Sequence, residues 1–178
     1  LERALAANAR HVAVFTGVSE TFNQKNIGMG VDESFTLLEP VVAEARAKGL
    51  WVRGYLSTVF GCPYEGRIDP VRAAQVATRL WSLGVDELSL GDTIGVATPA
   101  GVGDVIGQIG ARIPREKLAL HMHDTRGTAL VNVMAGLLLG IRTFDASAAG
   151  LGGCPFAPGA TGNAATEDLV YFFHGLGI

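Results

Sequence analysis

The feature that most constrains this chain is an alternation. Short β-branched or apolar runs are each followed by a turn-rich loop and then by a stretch with helical spacing. His11 to Ser19 (HVAVFTGVS), Leu50 to Thr58 (LWVRGYLST), Glu87 to Asp92 (ELSLGD), the run from Leu118 (LALHMHD) and Thr143 to Ala149 (TFDASAA) read as five strands. The near-continuous apolar character of the first suits a strand covered on both faces. Between them, a helix is predicted from an Asp32 N-cap to Lys48, closed by Gly49, with Pro40 kinking it or delaying its start. Asp69-Pro70 opens a helix that Gly84 ends, Thr98-Pro99 opens another that Gly110 or Pro114 closes, and Gly127 to Leu139 makes a covered helix capped by Gly140. A partial helix at Leu1 to Arg10 and a final one from about Asn163 to His174 complete the pattern, while GCPYEG at Gly61 to Gly66 reads as a loop.

Strand, loop and helix repeating at intervals of roughly 25 to 40 residues favours parallel strands with covering helices. No phosphate-binding glycine fingerprint opens the first helix, and polar residues of chemical interest end several different strands. A (β/α)8 TIM barrel, with about five of its eight strands present here, is therefore favoured over a doubly wound sheet. The reading takes 1–178 as a single catalytic barrel domain that is incomplete, its N-terminal βα units lying outside the sequence. At 178 residues, 48% hydrophobic and 17% charged, the chain can bury one sizeable core. A net charge of -3 without a Lys or Arg run argues against nucleic acid and anionic lipid as partners, and no apolar span of about 18 residues suggests a membrane segment.

Within the fourth strand, alternation places His121 and His123 on one face about 7 Å apart along the backbone, with Met122 on the other. Two imidazoles so placed either converge on one ion or sit as hydrogen-bonded histidines at a strand end. With the amide oxygen of Asn163 they form a nitrogen and oxygen set without thiolate, suited to Mg²⁺ or Mn²⁺. Cys154, in GGCPFAPG, is open to three roles: general acid or base, nucleophile, or inert thiol. Cys62 reads as structural. Asp92 is either a turn cap or a site carboxylate. Glu167, read as one helical turn beyond Asn163 on a shared face, is either a surface group or the partner that orients the Asn163 amide or a ligand histidine.

LSLGDTIGVATPAGV (88–102), HMHDTRG (121–127) and GLGGCPFAPGATGNAATEDLVY (150–171) resemble the 3-hydroxy-3-methylglutaryl-CoA lyase family, within the metal-dependent lyase and Claisen-condensing barrels. The likeness runs over essentially the whole chain. His-x-His-Asp is shared across the wider family, whereas the glycine-rich loop around Cys154 is particular to the lyases. The resemblance implies metal ligation by His121, His123 and Asn163, substrate contact by His121, an acid/base role for Cys154 on a mobile loop, and support of the site by Asp92 and Glu167. It implies Mg²⁺ or Mn²⁺ as cofactor and an acyl-CoA thioester as substrate, cleaved to acetoacetate and acetyl-CoA. It further implies a homo-oligomer in the full-length protein and a cytoplasmic, bacterial location, with the mitochondrial matrix as alternative. The family's Arg-Asp pair and a Glu come from strands not present in this sequence. Rival readings are a related condensing synthase, a hydroxy-oxo-acid aldolase, and an inert metal-binding fragment.

Overall fold

The structure, a computed structural model, describes residues 1–153 and 162–178. After α1 (Glu2–Ala6) the chain runs β1 (His11–Gly17), α2 (Glu20–Ile27), α3 (Val31–Ala47), β2 (Trp51–Ser57), β3 (Gly61–Cys62), β4 (Gly66–Arg67) and α4 (Pro70–Ser82). It continues through β5 (Glu87–Gly91), α5 (Pro99–Ile109), β6 (Leu118–His121), α6 (Ala129–Leu138), β7 (Thr143–Asp145) and α7 (Thr166–Gly175). Single 3₁₀ turns occupy Arg115–Lys117 and Ala148–Gly150. Five strands form one sheet in the order β1-β2-β5-β6-β7, every pair parallel, so each strand lies beside the next large strand in sequence. These are the βα units of a (β/α)8 barrel. Among the described residues no helix is long and apolar enough to cross a membrane.

The helix starts follow local chemistry. Asp69 accepts a hydrogen bond from Val71 N and Thr98 from Gly101 N, each followed by proline at the first helical position, where a missing N–H costs nothing. The helix-facing side of the sheet is apolar and closed. Val52, Leu56, Leu88, Leu90, Leu118, Leu120 and Met122 are each no more than 1% exposed. They meet Ala73, Ala77 and Leu80 of α4 and Val102, Ile106 and Ile109 of α5, also buried. Each such Leu, Ile or Val contributes about 1.5–3 kcal/mol by leaving water. Two glycines set the spacing of these layers: a Cβ on Gly54 would lie 3.1 Å from Leu80 Cδ2, and one on Gly136 would overlap Leu120.

Several boundaries differ from the sequence reading. Helix α2 was not anticipated, because ETFNQKNI carries no apolar stripe; it exists because the Ser19 hydroxyl accepts from Phe22 N and Gly28 closes it in the left-handed conformation, at φ 72°. Helix α3 begins at Val31 behind Gly30, so Asp32 lies in its first turn and is not its cap. Pro40 neither delays nor ends α3, because it and Thr36, whose carbonyl loses its helical partner, both face solvent. The predicted loop at Gly61 holds the antiparallel β3–β4 hairpin. Strand β7 stops at Asp145, short of Ala149, and α7 starts at Thr166. Asn163 is therefore not one helical turn before Glu167: it lies in extended chain that bridges back to His123.

Candidate functional site

Past the C-terminal ends of the strands, backbone bonds step from one strand to the next: Val18 N donates to Ser57 O at 3.0 Å, Val59 N to Gly91 O at 3.1 Å and Asp92 N to His121 O at 2.9 Å. Side chains reinforce this rim. Ser19 N donates to Thr58 Oγ1 at 3.2 Å and Thr58 N to Thr93 Oγ1 at 2.7 Å, holding Thr58 at φ 55°, a conformation β-branched residues rarely adopt. Cys62 is buried here, its thiol 2.9 Å from Ser19 Oγ, in keeping with its structural reading.

His121 ends β6 and His123 follows two residues later on the same face. Their ring centroids are 5.3 Å apart and tilted by 47°. Met122 points into the helix layer at 1% exposure. Asn163 reaches the pair through its antiparallel bridge to His123, flanked by Ala164 N to Met122 O at 3.0 Å and Asp124 N to Gly162 O at 3.2 Å. The Asn163 amide nitrogen donates to Leu151 O at 2.8 Å, and its side chain also hydrogen-bonds the His123 ring, where the amide oxygen is the group that accepts. A cavity of about 240 Å³ opens beside the imidazoles, with Phe15, Tyr55, Ser57 and Thr93 among its walls. Burial, aided by the neighbouring His121, pushes the His123 imidazole down to about 4, with Asn163 working the other way. His123 is thus neutral at neutral pH, and its buried Nδ1 has no hydrogen-bond partner.

Those features fit a divalent cation: a neutral imidazole with an orphaned ring nitrogen, and an amide oxygen beside it, carry lone pairs that a cation can take. Among the described residues no group of three or more His, Cys, Asp and Glu converges as a metal site; the donor groups that lie together there are two imidazoles and one amide.

Asp92 is wholly buried and turns inward on its own loop, accepting from Val96 N at 2.8 Å and Ala97 N at 3.0 Å. Burial raises its carboxyl above the usual range, against those bonds and the nearby Arg126 charge. It shapes the rim beside His121 through its backbone. Glu167 is exposed; its carboxylate, held below the usual range by its own backbone N–H and that of Ala149, accepts from Ala149 N at 2.8 Å. Cys154 lies outside the described residues.

Sequence reasoning passed over a second group of polar residues on the same face, one layer below the histidines. Arg53 Nη1 donates to Tyr55 Oη and pairs with Asp145 Oδ1, both at 2.8 Å, and Arg53 Nε lies 2.8 Å from Glu87 Oε1 in an ion pair without the alignment of a hydrogen bond. Ser89 Oγ donates to Asp145 Oδ2 at 2.7 Å, and the same oxygen lies 3.3 Å from His121 Nδ1. Burial opposes the Asp145 charge, but bonds from His121 and Ser89 and the Arg53 guanidinium outweigh it and hold the carboxyl below the usual range. The signal for this group was a single charge in each of three otherwise uncharged strands, Arg53, Glu87 and Asp145; the pairing itself depends on the registers Arg53↔Glu87 and His121↔Asp145.

A parallel βα array with His121, His123 and Asn163 gathered at the C-terminal end of its strands is the arrangement of a (β/α)8 barrel, of which the described residues form five strands. The chain belongs to the HMGL-like family, whose profile matches residues 1–178. It is 50% identical over 177 residues to the mitochondrial hydroxymethylglutaryl-CoA lyase of Bos taurus, covering 99% of this chain and 54% of that protein. It is likewise 50% identical to the cytoplasmic 3-hydroxy-3-methylglutaryl-CoA lyase of Danio rerio, with 99% and 53% covered. The solved hydroxymethylglutaryl-CoA lyase of Pseudomonas aeruginosa superposes with a TM-score of 0.95 at 50% identity, over 98% of this chain and 58% of that one. An HMG-CoA lyase from Acinetobacter baumannii in complex with coenzyme A and 3-methylmalate does so at 0.93 and 40% identity, over 99% and 58%. The chain spans about half the length of the curated relatives it matches.

Proposed function

We propose that this chain forms the metal- and substrate-binding part of a lyase that cleaves 3-hydroxy-3-methylglutaryl-CoA to acetoacetate and acetyl-CoA, working with further βα units of the same barrel domain. The observation that carries the reading is the paired imidazoles of His121 and His123, with Asn163 bridged beside them, in a chain half identical to lyases of that name. His121, His123 and Asn163 hold Mg²⁺ or Mn²⁺, and a bound cation supplies Lewis acidity that lowers the cost of deprotonating the substrate's tertiary hydroxyl. His123 serves best as a neutral donor, which its burial already enforces. His121, the more exposed of the two and facing the cavity beside Tyr55, meets the substrate. As the hydroxyl proton passes to the Cys154 sulfur in its thiolate form, the alkoxide collapses to the ketone, the carbon–carbon bond breaks and its electron pair passes to the thioester α-carbon. That carbon takes a proton from the Cys154 thiol. A thiol, with an ordinary pKa of about 8.5, is a suitable donor to a carbanion from which water is excluded. Relatives bear both mitochondrial and cytoplasmic names, so either compartment is compatible with the fold.

The test is a Mn²⁺ titration with a cleavage assay on the full-length protein. His123→Ala is expected to weaken Mn²⁺ binding by about tenfold or more, the scale at which even a supporting partner of a metal ligand acts. Cys154→Ala is expected to remove most turnover while Mn²⁺ affinity stays within a few-fold. Unchanged Mn²⁺ affinity in the first variant returns the histidines to a packing role, and wild-type turnover in the second removes Cys154 from the proton transfer.

A further inference from the structure

Asp145 occupies an unusual position for a strand carboxylate: both its oxygens are engaged, and by different parts of the sheet. Oδ1 is taken by Arg53 Nη1 at 2.8 Å, while Oδ2 accepts from Ser89 Oγ at 2.7 Å and faces His121 Nδ1 at 3.3 Å. The side chain is 15% exposed, as closed in as its Arg53 partner at 14%. The Arg53 end is itself fixed, by Glu87 on one side and by Tyr55, whose hydroxyl accepts from Arg53 and whose ring lies under the guanidinium at 4.9 Å. The same Tyr55 ring stands edge-on to the His121 imidazole, with centroids 6.5 Å apart. Three strands thus converge on the orientation of one imidazole carried by a fourth. A bare ion pair between β2 and β7 would require neither the Ser89 bond nor the approach to His121.

We infer that Asp145 is a positioning residue for His121: its Oδ2 accepts the Nδ1 proton and so presents the Nε2 lone pair to the cation, with Arg53 and Ser89 fixing the carboxylate. A carboxylate can only accept here, so Nδ1 must donate, and the tautomer follows without reference to the ion. A metal-bound histidine held in this way by a carboxylate is the more basic ligand, and losing such a partner costs roughly ten- to hundredfold in metal affinity. The inference rests on the metal-binding reading above and adds a residue that motif comparison did not single out.

Two measurements on the full-length protein test it. The first requires no variant: in the metal-free protein, ¹⁵N chemical shifts of the His121 ring and their couplings to the ring protons are expected to show the proton on Nδ1. Finding it on Nε2 overturns the inference. The second is a Mn²⁺ titration of Asp145→Asn beside His123→Ala. Asp145→Asn is expected to raise the Mn²⁺ dissociation constant by about ten- to hundredfold and to abolish the Nδ1 preference. If His123→Ala weakens binding while Asp145→Asn leaves both affinity and tautomer as in the wild type, the positioning role alone is lost. If His123→Ala leaves Mn²⁺ affinity unchanged, it is the metal-binding reading that fails. Should Asp145→Asn not fold, the wild-type tautomer decides.

Discussion

The two faces of the parallel sheet solve different problems with the same five strands. Toward the helices, Val52, Leu56, Leu88, Leu90, Leu118 and Leu120 form a dry layer, each no more than 1% exposed. On the opposite face, one residue along in each strand, stand Arg53, Tyr55, Glu87, Ser89, His121 and Asp145, each hydrogen-bonded or ion-paired to another member of the group. The first face is held by shape and area, which any apolar side chain of suitable volume supplies. The second depends on particular donors meeting particular acceptors, so it has little tolerance for exchange. A strand that alternates between these two chemistries is fixed in register, because a slip of one residue would put charges into the helix layer.

This contrast can be broken most directly by removing its central cation. Arg53→Met keeps the volume but leaves Glu87 and Asp145 without their partner, and is expected to cost about 3–5 kcal/mol, the range for orphaning a buried ion-pair partner. Urea denaturation reads this out, and a loss under about 1 kcal/mol would mean that the inner face behaves as ordinary solvated surface. Next in size is an effect of acid on the metal-free protein. With the folded His123 lowered to about 4 and the unfolded imidazole at about 6.5, the unfolded chain binds the proton first. The stability due to neutral His123 is complete above about pH 6.5 and is lost as pH falls toward 4, by about 3 kcal/mol in all. Asp145, whose carboxyl is held low, acts in a separate window: its contribution is present above about pH 4 and disappears below it. Urea midpoints across that range, compared with those of His123→Gln, are expected to show a slope in the wild type that the variant lacks. The smallest effect belongs to the other face: Leu120→Met, a near volume-conserving change in the dry layer, should cost less than about 1.5 kcal/mol and leave Mn²⁺ affinity unaltered. A shift in metal binding there would show that the two faces are not independent.

The dry face was legible in the sequence and the wet one only in part. Apolar runs, proline-opened helices and closing glycines announced the strands and α4, α5 and α6, because those signals are local. Alternation was enough to put His121 beside His123. It could not pair Arg53 with Glu87, 34 positions away by register, nor bring Asp145 under His121, since a pairing across strands is invisible until the strands are aligned. Asn163 shows the same limit from another side. Helical periodicity coupled it to Glu167, whereas the bridge to His123 sets its position and leaves Glu167 on Ala149 N. Helix α2 escaped notice because what makes it is a capping hydroxyl and a left-handed glycine, not a stripe of apolar residues.

Thr58, held at φ 55° between Ser19 and Thr93, has a mechanical consequence. A non-glycine residue in that conformation stores about 1–3 kcal/mol of strain, and two of the bonds that oppose its release reach into the segments following β1 and β5. Three segments that are far apart in the chain are therefore braced through one residue, like members of a frame meeting at a pinned joint. A load placed on any one of them is shared by the other two, so the rim past the strand ends is stiffer than any single connection in it.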